Sequence, residues 1–408
     1  MSFPYPFPEN ILRQPPIPRR RCTANEQAEE ERNQGQQIVN CLRRFKRRKS
    51  LIMNMESSLS SLPDDVWFEI LSHLPANDIY DLARLVCWNW YRMIYTHTFI
   101  YANLQYTPYG LLFICRESPG RKLTPLLVTM QQGRIEMSKF SDAFSPLWWS
   151  TCNGLILSGL SGARGCRTYC IANPITNQVF ALPPVPAPSI ICWLCGIGYA
   201  PVSMEYKVVI RTPGSKSPWG IITPGVDSSW RVVDTDHCGL LPGMVQRPPL
   251  ITEGYMHWTF HGKDRNQVLS LDVETEIVTK SCVPLNYDRE YDHWNYLSTG
   301  RYLTLLITYG NCLWQVWEMK SGEWRKLEGV VVDLGTQMFE QFKLFPVGWL
   351  KYLEVLVLRV VSLSTRRVQN FLYSLVTKET TLLEFPDLQC EDINPVVHKN
   401  SLVWLAGC

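Results

Sequence analysis

The sequence predicts an α+β multidomain chain: a short three-helix unit followed by an all-β propeller of six, or at most seven, blades. Three observations carry this expectation. Residues 62–90 repeat apolar side chains at helical spacing between Leu-Pro pairs. Beyond residue 125 the chain consists of short apolar stretches punctuated by Gly, Pro, Asn, Asp and Ser, and that β-rich part repeats itself every 44 to 57 residues.

Residues 1–58 hold six prolines within the first 18 positions and then a Gln- and Glu-rich stretch, too polar to offset the entropy of ordering, so a disordered tail is expected. The tail also carries the positive charge. It has 11 Lys and Arg against 6 Asp and Glu, whereas the other 350 residues have 29 against 31. Six of the basic residues cluster as Arg43, Arg44, Lys46, Arg47, Arg48 and Lys49, which reads either as a nuclear-import or weak polyanion-binding run or as a plain solvated tail. The opening MSFPYPFPEN lacks the basic-then-apolar order of a secretory leader, and no apolar run reaches the ~18 residues of a membrane span. A nuclear or cytoplasmic protein without membrane contact is expected.

Residues 59–100 are the helical unit. Pro63 suits a first helical position, Asp64 and Asp65 complement the positive end of the helix dipole, and Val66, Trp67, Ile70, Leu71 and Leu74 recur at helical spacing until Pro75 stops the run. Asn77 reads as the N-cap of a second helix carrying Ile79, Leu82, Leu85 and Val86, and a third short helix holds Trp90, Tyr91 and Ile94. A unit of about 40 residues cannot bury that much apolar surface unaided, so part of it is expected to belong to a partner.

The order Leu62-Pro63, Ile70-Leu71, Leu74-Pro75, Leu82, Leu85, Val86-Cys87 and Trp90 resembles the F-box, with Trp88 where many F-boxes carry a basic residue. The resemblance implies a Skp-family adaptor, and through it a cullin, as partner. It implies that Leu62, Pro63, Ile70, Leu71, Leu74, Pro75, Leu82, Leu85, Val86 and Trp90 form the adaptor-binding surface.

Residues 101–125 read as a connector and 126–408 as the β body. Five units have the form strand, polar turn, strand, and a sixth around VDSSWRVVD aligns Trp230 with Trp324. Their turns are anchored at Gln132, Thr176, Asp227, Thr275, Ser321 and Lys378, a period typical of propeller blades. The closing SLVWLAGC reads as one more strand, able to close the ring. Cys152-Asn153-Gly154-Leu155, Asn173-Pro174-Ile175-Thr176, Gly196-Ile197-Gly198-Tyr199 with Tyr206-Lys207-Val208-Val209, Ser229-Trp230-Arg231 and Gly254-Tyr255-Met256-His257-Trp258 resemble plant F-box proteins with kelch-like or F-box-associated repeats. The chain has no Gly-Gly doublet of kelch type, which favours the F-box-associated form.

Catalytic and metal chemistry finds poor candidates. Asp236-His237-Cys238 has the residue types of a nucleophile, base and orienter, but sequence neighbours seldom face one another. His257 and His261 would share a metal only on a helix, and GYMHWTFHG reads as a strand. CGIGYA lacks the third glycine of a phosphate loop. Cys166, Cys170, Cys192 and Cys195 have spacings compatible with zinc, yet they lie in apolar strand-like segments where free Cys acts as a small hydrophobe. No metal or cofactor is expected. Protein binding suits the body better, because Trp, Tyr and Arg dominate hot spots. Tyr287, Arg289, Tyr291, His293, Trp294 and Tyr296 crowd residues 286–296, and Trp219 sits among turn formers. Both stretches read either as recognition loops for a target protein or as long inter-blade loops whose aromatics pack back onto the rim.

The family resemblance therefore implies a non-catalytic substrate receptor of an SCF cullin ubiquitin ligase, holding an unidentified target protein and not nucleic acid. A non-proteolytic nuclear co-regulator, and a propeller enzyme or lectin with an appended helical module, remain the alternatives.

Overall fold

The computed structural model describes residues 62–405 except 118–122, 132, 141–148, 162–166, 186–194, 212–218, 240–247, 262–265, 284–290, 310–312, 321, 334–341, 363, 366, 386–387 and 391–394. The basic cluster at 43–49 thus lies outside the described residues. Two units are delimited, Met1–Trp67 and Phe68–Cys408. In the first, Pro63 O accepts the amides of Val66 (3.1 Å) and Trp67 (3.2 Å) and so starts helix α1 (Asp64–Ser72).

Pro75, rather than Asn77, takes the N-cap position of α2 (Ala76–Asp81), its carbonyl accepting Ile79 N at 3.1 Å. A proline fits there because a helix start has no use for its missing N–H. A 3-10 turn (Ala83–Leu85) and α3 (Trp88–Ile94) follow. A fourth helix, α4 (His97–Tyr106), extends the unit beyond the three expected from sequence, started by Thr96, whose Oγ1 accepts Phe99 N at 3.3 Å.

The body is a six-bladed propeller, and the described residues form no seventh blade. Strands β1 (Gly110–Glu117), β2 (Leu123–Gln131) and β3 (Arg134–Lys139) belong to the first blade. The second is β4 (Trp149–Cys152), β5 (Leu155–Ser161), β6 (Arg167–Asn173) and β7 (Gln178–Ala181). The third is β8 (Gly196–Ala200), β9 (Glu205–Arg211), β10 (Trp219–Ile222) and β11 (Arg231–Val233). The fourth is β12 (Leu250–Thr252), β13 (Tyr255–His261), β14 (Asn266–Asp272) and β15 (Val278–Cys282). The fifth is β16 (Tyr291–Ser298), β17 (Leu303–Tyr309), β18 (Leu313–Lys320) and β19 (Glu323–Asp333). The sixth is β20 (Phe342–Lys351), β21 (Val355–Ser362), β22 (Val368–Ser374) and β23 (Thr380–Leu383). Finally β24 (Leu388–Cys390) and β25 (Val396–His398) return to pair with β1, Cys390 opposite Cys115 and His398 opposite Gly110, and the ring closes. The span read as a connector therefore contains the end of α4 and the whole of β1.

The repeats seen in sequence are the outer hairpins, the third and fourth strands of each blade. Thr176, Asp227, Thr275 and Lys378 lie in the turns between them, while Gln132 and Ser321 lie outside the described residues. The closing strand is not SLVWLAGC. Pairing stops at His398 because its partner β1 begins at Gly110, and residues 401–405 continue as irregular chain.

Neighbouring blades are stitched at their inner strands by small hydroxyl residues. Ser150 Oγ on β4 accepts Ile197 N on β8 at 3.1 Å, Thr151 Oγ1 donates to Val397 O, and Ser298 Oγ donates to Ile251 O. Large side chains then fill the space between sheets: Trp219 on β10 meets Trp258 on β13 edge-to-face at 4.4 Å. Gly198 permits this approach, since a Cβ there would fall 2.7 Å from Val273 and 2.8 Å from Met256. Among the described residues no helix is long and apolar enough to cross a membrane.

Candidate functional site

Helical residues 68–106 divide their apolar side chains between two faces. Leu71, Ala76, Ile79, Ala83, Ile94, Phe99, Ile100 and Leu104 are buried in one cluster with Leu155, Ile171 and Ile175 of the second blade and Tyr199 and Val208 of the third. Phe68, Leu74 and Trp90 pack against that cluster, partly buried. The opposite face stays open. Ile70 is 46% exposed, Leu85 56% and Trp88 68%, and Val86, Tyr91 and Tyr95 are exposed as well. Trp88 stacks on Tyr91 at 5.4 Å, and Tyr91 lies 4.6 Å from Tyr95, a continuous aromatic row along α3.

Of the residues expected to meet an adaptor, Ile70, Pro75, Leu85 and Val86 are exposed and Leu82 is half-buried. Leu62 and Pro63, in the first unit, are exposed too. Leu71 is a correction: at 1% exposure it belongs to the chain's own core. Consecutive helical residues point roughly 100° apart, and here that offset turns Leu71 towards the cluster and Ile70 away from it.

The helices rest on one end of the propeller. Antiparallel pairing brings the turns after β4, β6 and β8 to that end, and the connections after β5 and β9 to the other. Tyr80 Oη donates to Thr176 O at 3.1 Å, and Tyr101 lies 5.9 Å from Tyr199. Beneath α4, Lys399 is buried with its Nζ 4.4 Å over the Tyr109 ring. Burial pulls this ammonium down to about 8, against the pull of Cys152, whose thiol burial pushes up to about 12. No sequence signal pointed to Lys399 or Tyr80, because their partners are remote in the chain.

Comparison with known proteins fits this architecture. Residues 111–404 match the F-box associated beta propeller domain, and residues 59–105 match the F-box-like model. The chain belongs to the F-box associated β-propeller family. An F-box only protein of Arabidopsis thaliana is 25% identical over 234 residues, 55% of this chain and 59% of its own length. An F-box/kelch-repeat protein of the same plant is 23% identical over 265 residues, 58% of this chain and 63% of its own. The chain therefore spans about six-tenths of these curated relatives. Among solved structures, TolB from Acinetobacter baumannii is similar with a TM-score of 0.42 and 10% identity, over 74% of this chain and 70% of that one. So loose a likeness has no bearing on function.

Within this F-box associated propeller, the motifs noted in sequence prove to be blade clasps. Trp230 Nε1 donates back to Pro183 O at the second blade (3.0 Å), while Arg231 reaches forward and forks onto Glu276 of the fourth (2.6 and 2.8 Å). Lys207, from the Tyr-Lys-Val-Val motif, also meets Glu276 at 2.9 Å. The hydrogen bonds from Arg231, then those from Lys207, hold the Glu276 carboxyl down at about 2. These residues tie blades together.

Several of the other candidates in the F-box associated propeller are held by its own framework. His257 is buried between Thr252 Oγ1 (2.9 Å) and Ser270 Oγ (2.8 Å), and burial pushes it down to about 3. His237 Nε2 lies 2.7 Å from Val278 O and the Cys238 thiol points at the same carbonyl, so the Asp236-His237-Cys238 turn faces the fourth blade. Cys170 and Cys195 are buried, Cys170 Sγ 3.2 Å from Ser158 Oγ; Cys166 and Cys192 lie outside the described residues.

The recognition residues separate. Trp219 is a correction: it is not on a loop but opens β10, 1% exposed, because its ring completes the packing with Trp258. Tyr287 and Arg289 lie outside the described residues. Tyr291, His293, Trp294 and Tyr296 belong to inner strand β16, and Trp294 and Tyr296 pack partly buried against Leu305 and Ile307. Arg211, where β9 ends, and Tyr291, where β16 begins, lie at the end of the propeller away from the helices.

Proposed function

We propose that the chain is the non-catalytic substrate-recognition subunit of an SCF cullin ubiquitin ligase. Its open helical face binds a Skp-family adaptor, and its propeller binds a target protein. The observation that carries this is the division of the helices: one face is consumed by the propeller, and on the other Ile70, Leu85, Val86 and Trp88 stay exposed among the described residues. Exposed large apolar side chains gathered on one helical unit in this way support an interaction site. F-box units generally bind Skp adaptors, which supports the choice of partner. Ubiquitin transfer then belongs to other subunits, and this chain contributes proximity and orientation.

Co-expression with a Skp adaptor tests the proposal. The intact chain should co-elute with the adaptor, and Ile70→Asp with Leu85→Asp should not, because each would place a charge in a desolvated interface. Both positions are exposed, so the variant keeps its fold. Separate elution of the intact chain and the adaptor would sink the proposal. Target capture is tested by proximity labelling with residues 286–290 replaced by Gly and Ser, sparing β16. We assign the protein to the nucleus, the cytoplasm or both. Nuclear enrichment unchanged on replacing the basic residues of 43–49 with Ala, Gln and Ser would remove an import role for the tail.

A further inference from the structure

Residues 399–405 follow His398 as irregular chain, yet Lys399, Ser401, Leu402, Val403 and Leu405 are all buried. Their partners come from both sides of the junction. On the propeller side, Asn173 Nδ2 donates to Ser401 O at 3.0 Å and to Val403 O at 2.6 Å, while its Oδ1 accepts Ile175 N at 2.8 Å and holds the Asn-Pro-Ile-Thr turn in shape. Ser401 Oγ donates to Asn153 O at 2.6 Å, in the turn between β4 and β5. Asn153 and Gly154 both have positive φ there, and a Cβ on Gly154 would fall 2.1 Å from Ser401 Oγ, so the glycine is what lets the segment approach.

On the helical side, Lys399 Nζ donates to Leu104 O at 3.1 Å, near the C-terminal end of α4 where a cation suits the helix dipole. Asn400 Nδ2 donates to Asn77 Oδ1 at 3.3 Å, and Trp404 lies 5.8 Å from His97. Leu402, Val403 and Leu405 join the same buried cluster as Leu71, Ile79, Phe99 and Leu104. The segment thus touches the helices and the second blade at once. It is placed by β25, the strand that completes the ring.

We infer that residues 399–405 are a clasp coupling ring closure to the adaptor face: only a closed propeller brings them to the helices, and without them helical residues 68–106 lose the part of their packing that the blades do not supply. An open or misclosed ring then presents no competent adaptor face. A receptor unable to hold its target is kept out of the ligase by its own fold. The binding consequence rests on the proposed adaptor role, whereas the structural consequence does not.

Two variants test this beside the intact chain. One ends at His398 and so retains β25. The other is full-length Asn173→Asp, which keeps the turn-forming Oδ1 but removes both N–H donors and sets a carboxylate against the Ser401 and Val403 carbonyls. Hydrogen exchange read by mass spectrometry should speed up at least tenfold for peptides within 68–106, while the amides of β13 and β21 keep their protection. Affinity for a Skp adaptor should fall at least tenfold in both variants. Helices protected as in the intact chain, in either variant with its sheets intact, would overturn the clasp. If the shortened chain loses its sheets as well, Asn173→Asp alone decides by the same criterion. An intact chain that binds no adaptor would sink the proposed function, and the exchange comparison would still decide the clasp.

Discussion

Ile70 and Leu71 are adjacent, similar in size and equally apolar, yet one is 46% exposed and the other 1%. The same split runs through the whole helical unit, with Phe99, Ile79 and Leu104 turned to the propeller and Leu85, Val86 and Trp88 turned away. An apolar pattern alone cannot say whether a side chain will be covered by its own chain or by another. Placement against a neighbouring element decides it.

Loss of packing on the buried face costs the most stability. Phe99 is fully buried and meets Phe68 edge-to-face at 5.4 Å, so Phe99→Ala should destabilise the chain by about 3–5 kcal/mol in thermal or urea unfolding. On the open face, Ile70→Asp with Leu85→Asp should leave stability within about 0.5 kcal/mol per site while weakening adaptor binding on the order of 100-fold, measured by titration calorimetry. Should this pair unfold the protein as Phe99→Ala does, the two faces have been assigned wrongly.

Protons probe the buried interior without a mutation. Burial holds His257 and His398 near 3, against an ordinary value of 6.5. Between those values the unfolded chain takes up protons that the folded chain refuses, so stability falls as pH drops from 6.5 towards 3. The slope approaches about 1.4 kcal/mol per pH unit for each histidine. Urea melts from pH 7 to 4.5 should trace this limb, and His257→Gln with His398→Gln should flatten it. The smallest effect belongs to the part-exposed clasp between blades. Arg231→Met should cost about 1 kcal/mol or less, since water screens its pair with Glu276.

Legibility in the sequence followed the same physics. The outer hairpins announced themselves through turn chemistry, as at Asn173-Pro174-Ile175-Thr176 and around Lys378, and so gave the period and the blade class. Inner strands did not, because β4 and β8 are short, rich in Ser, Thr and Gly, and buried on both faces, which erases alternation. Trp219 was misread for a related reason: Gly214, Ser215 and Pro218 before it signal a turn, and only the register of β10 reveals that its ring belongs between two sheets. The helical spacing of Ile70, Leu85 and Val86 was plain, but the inward placement of Leu71 required the propeller. α4 was missed because His97–Tyr106 carries few strong helix formers and no sharp apolar stripe. The partners of Asn173 lie 228 and 230 residues away, beyond any local pattern.

The clasp also sets a timetable for synthesis. Lys399 lies 295 residues after Leu104, whose carbonyl it holds. At ribosomal speeds of about 5–20 residues per second, the helices emerge on the order of 15–60 s before the segment that completes their packing. Through that interval the blades that emerge early can cover Leu71, Ile79 and Phe99, but the side chains of Leu402, Val403 and Leu405 that complete the cluster are still missing, and the nascent chain is a natural client for chaperones that shield apolar helices.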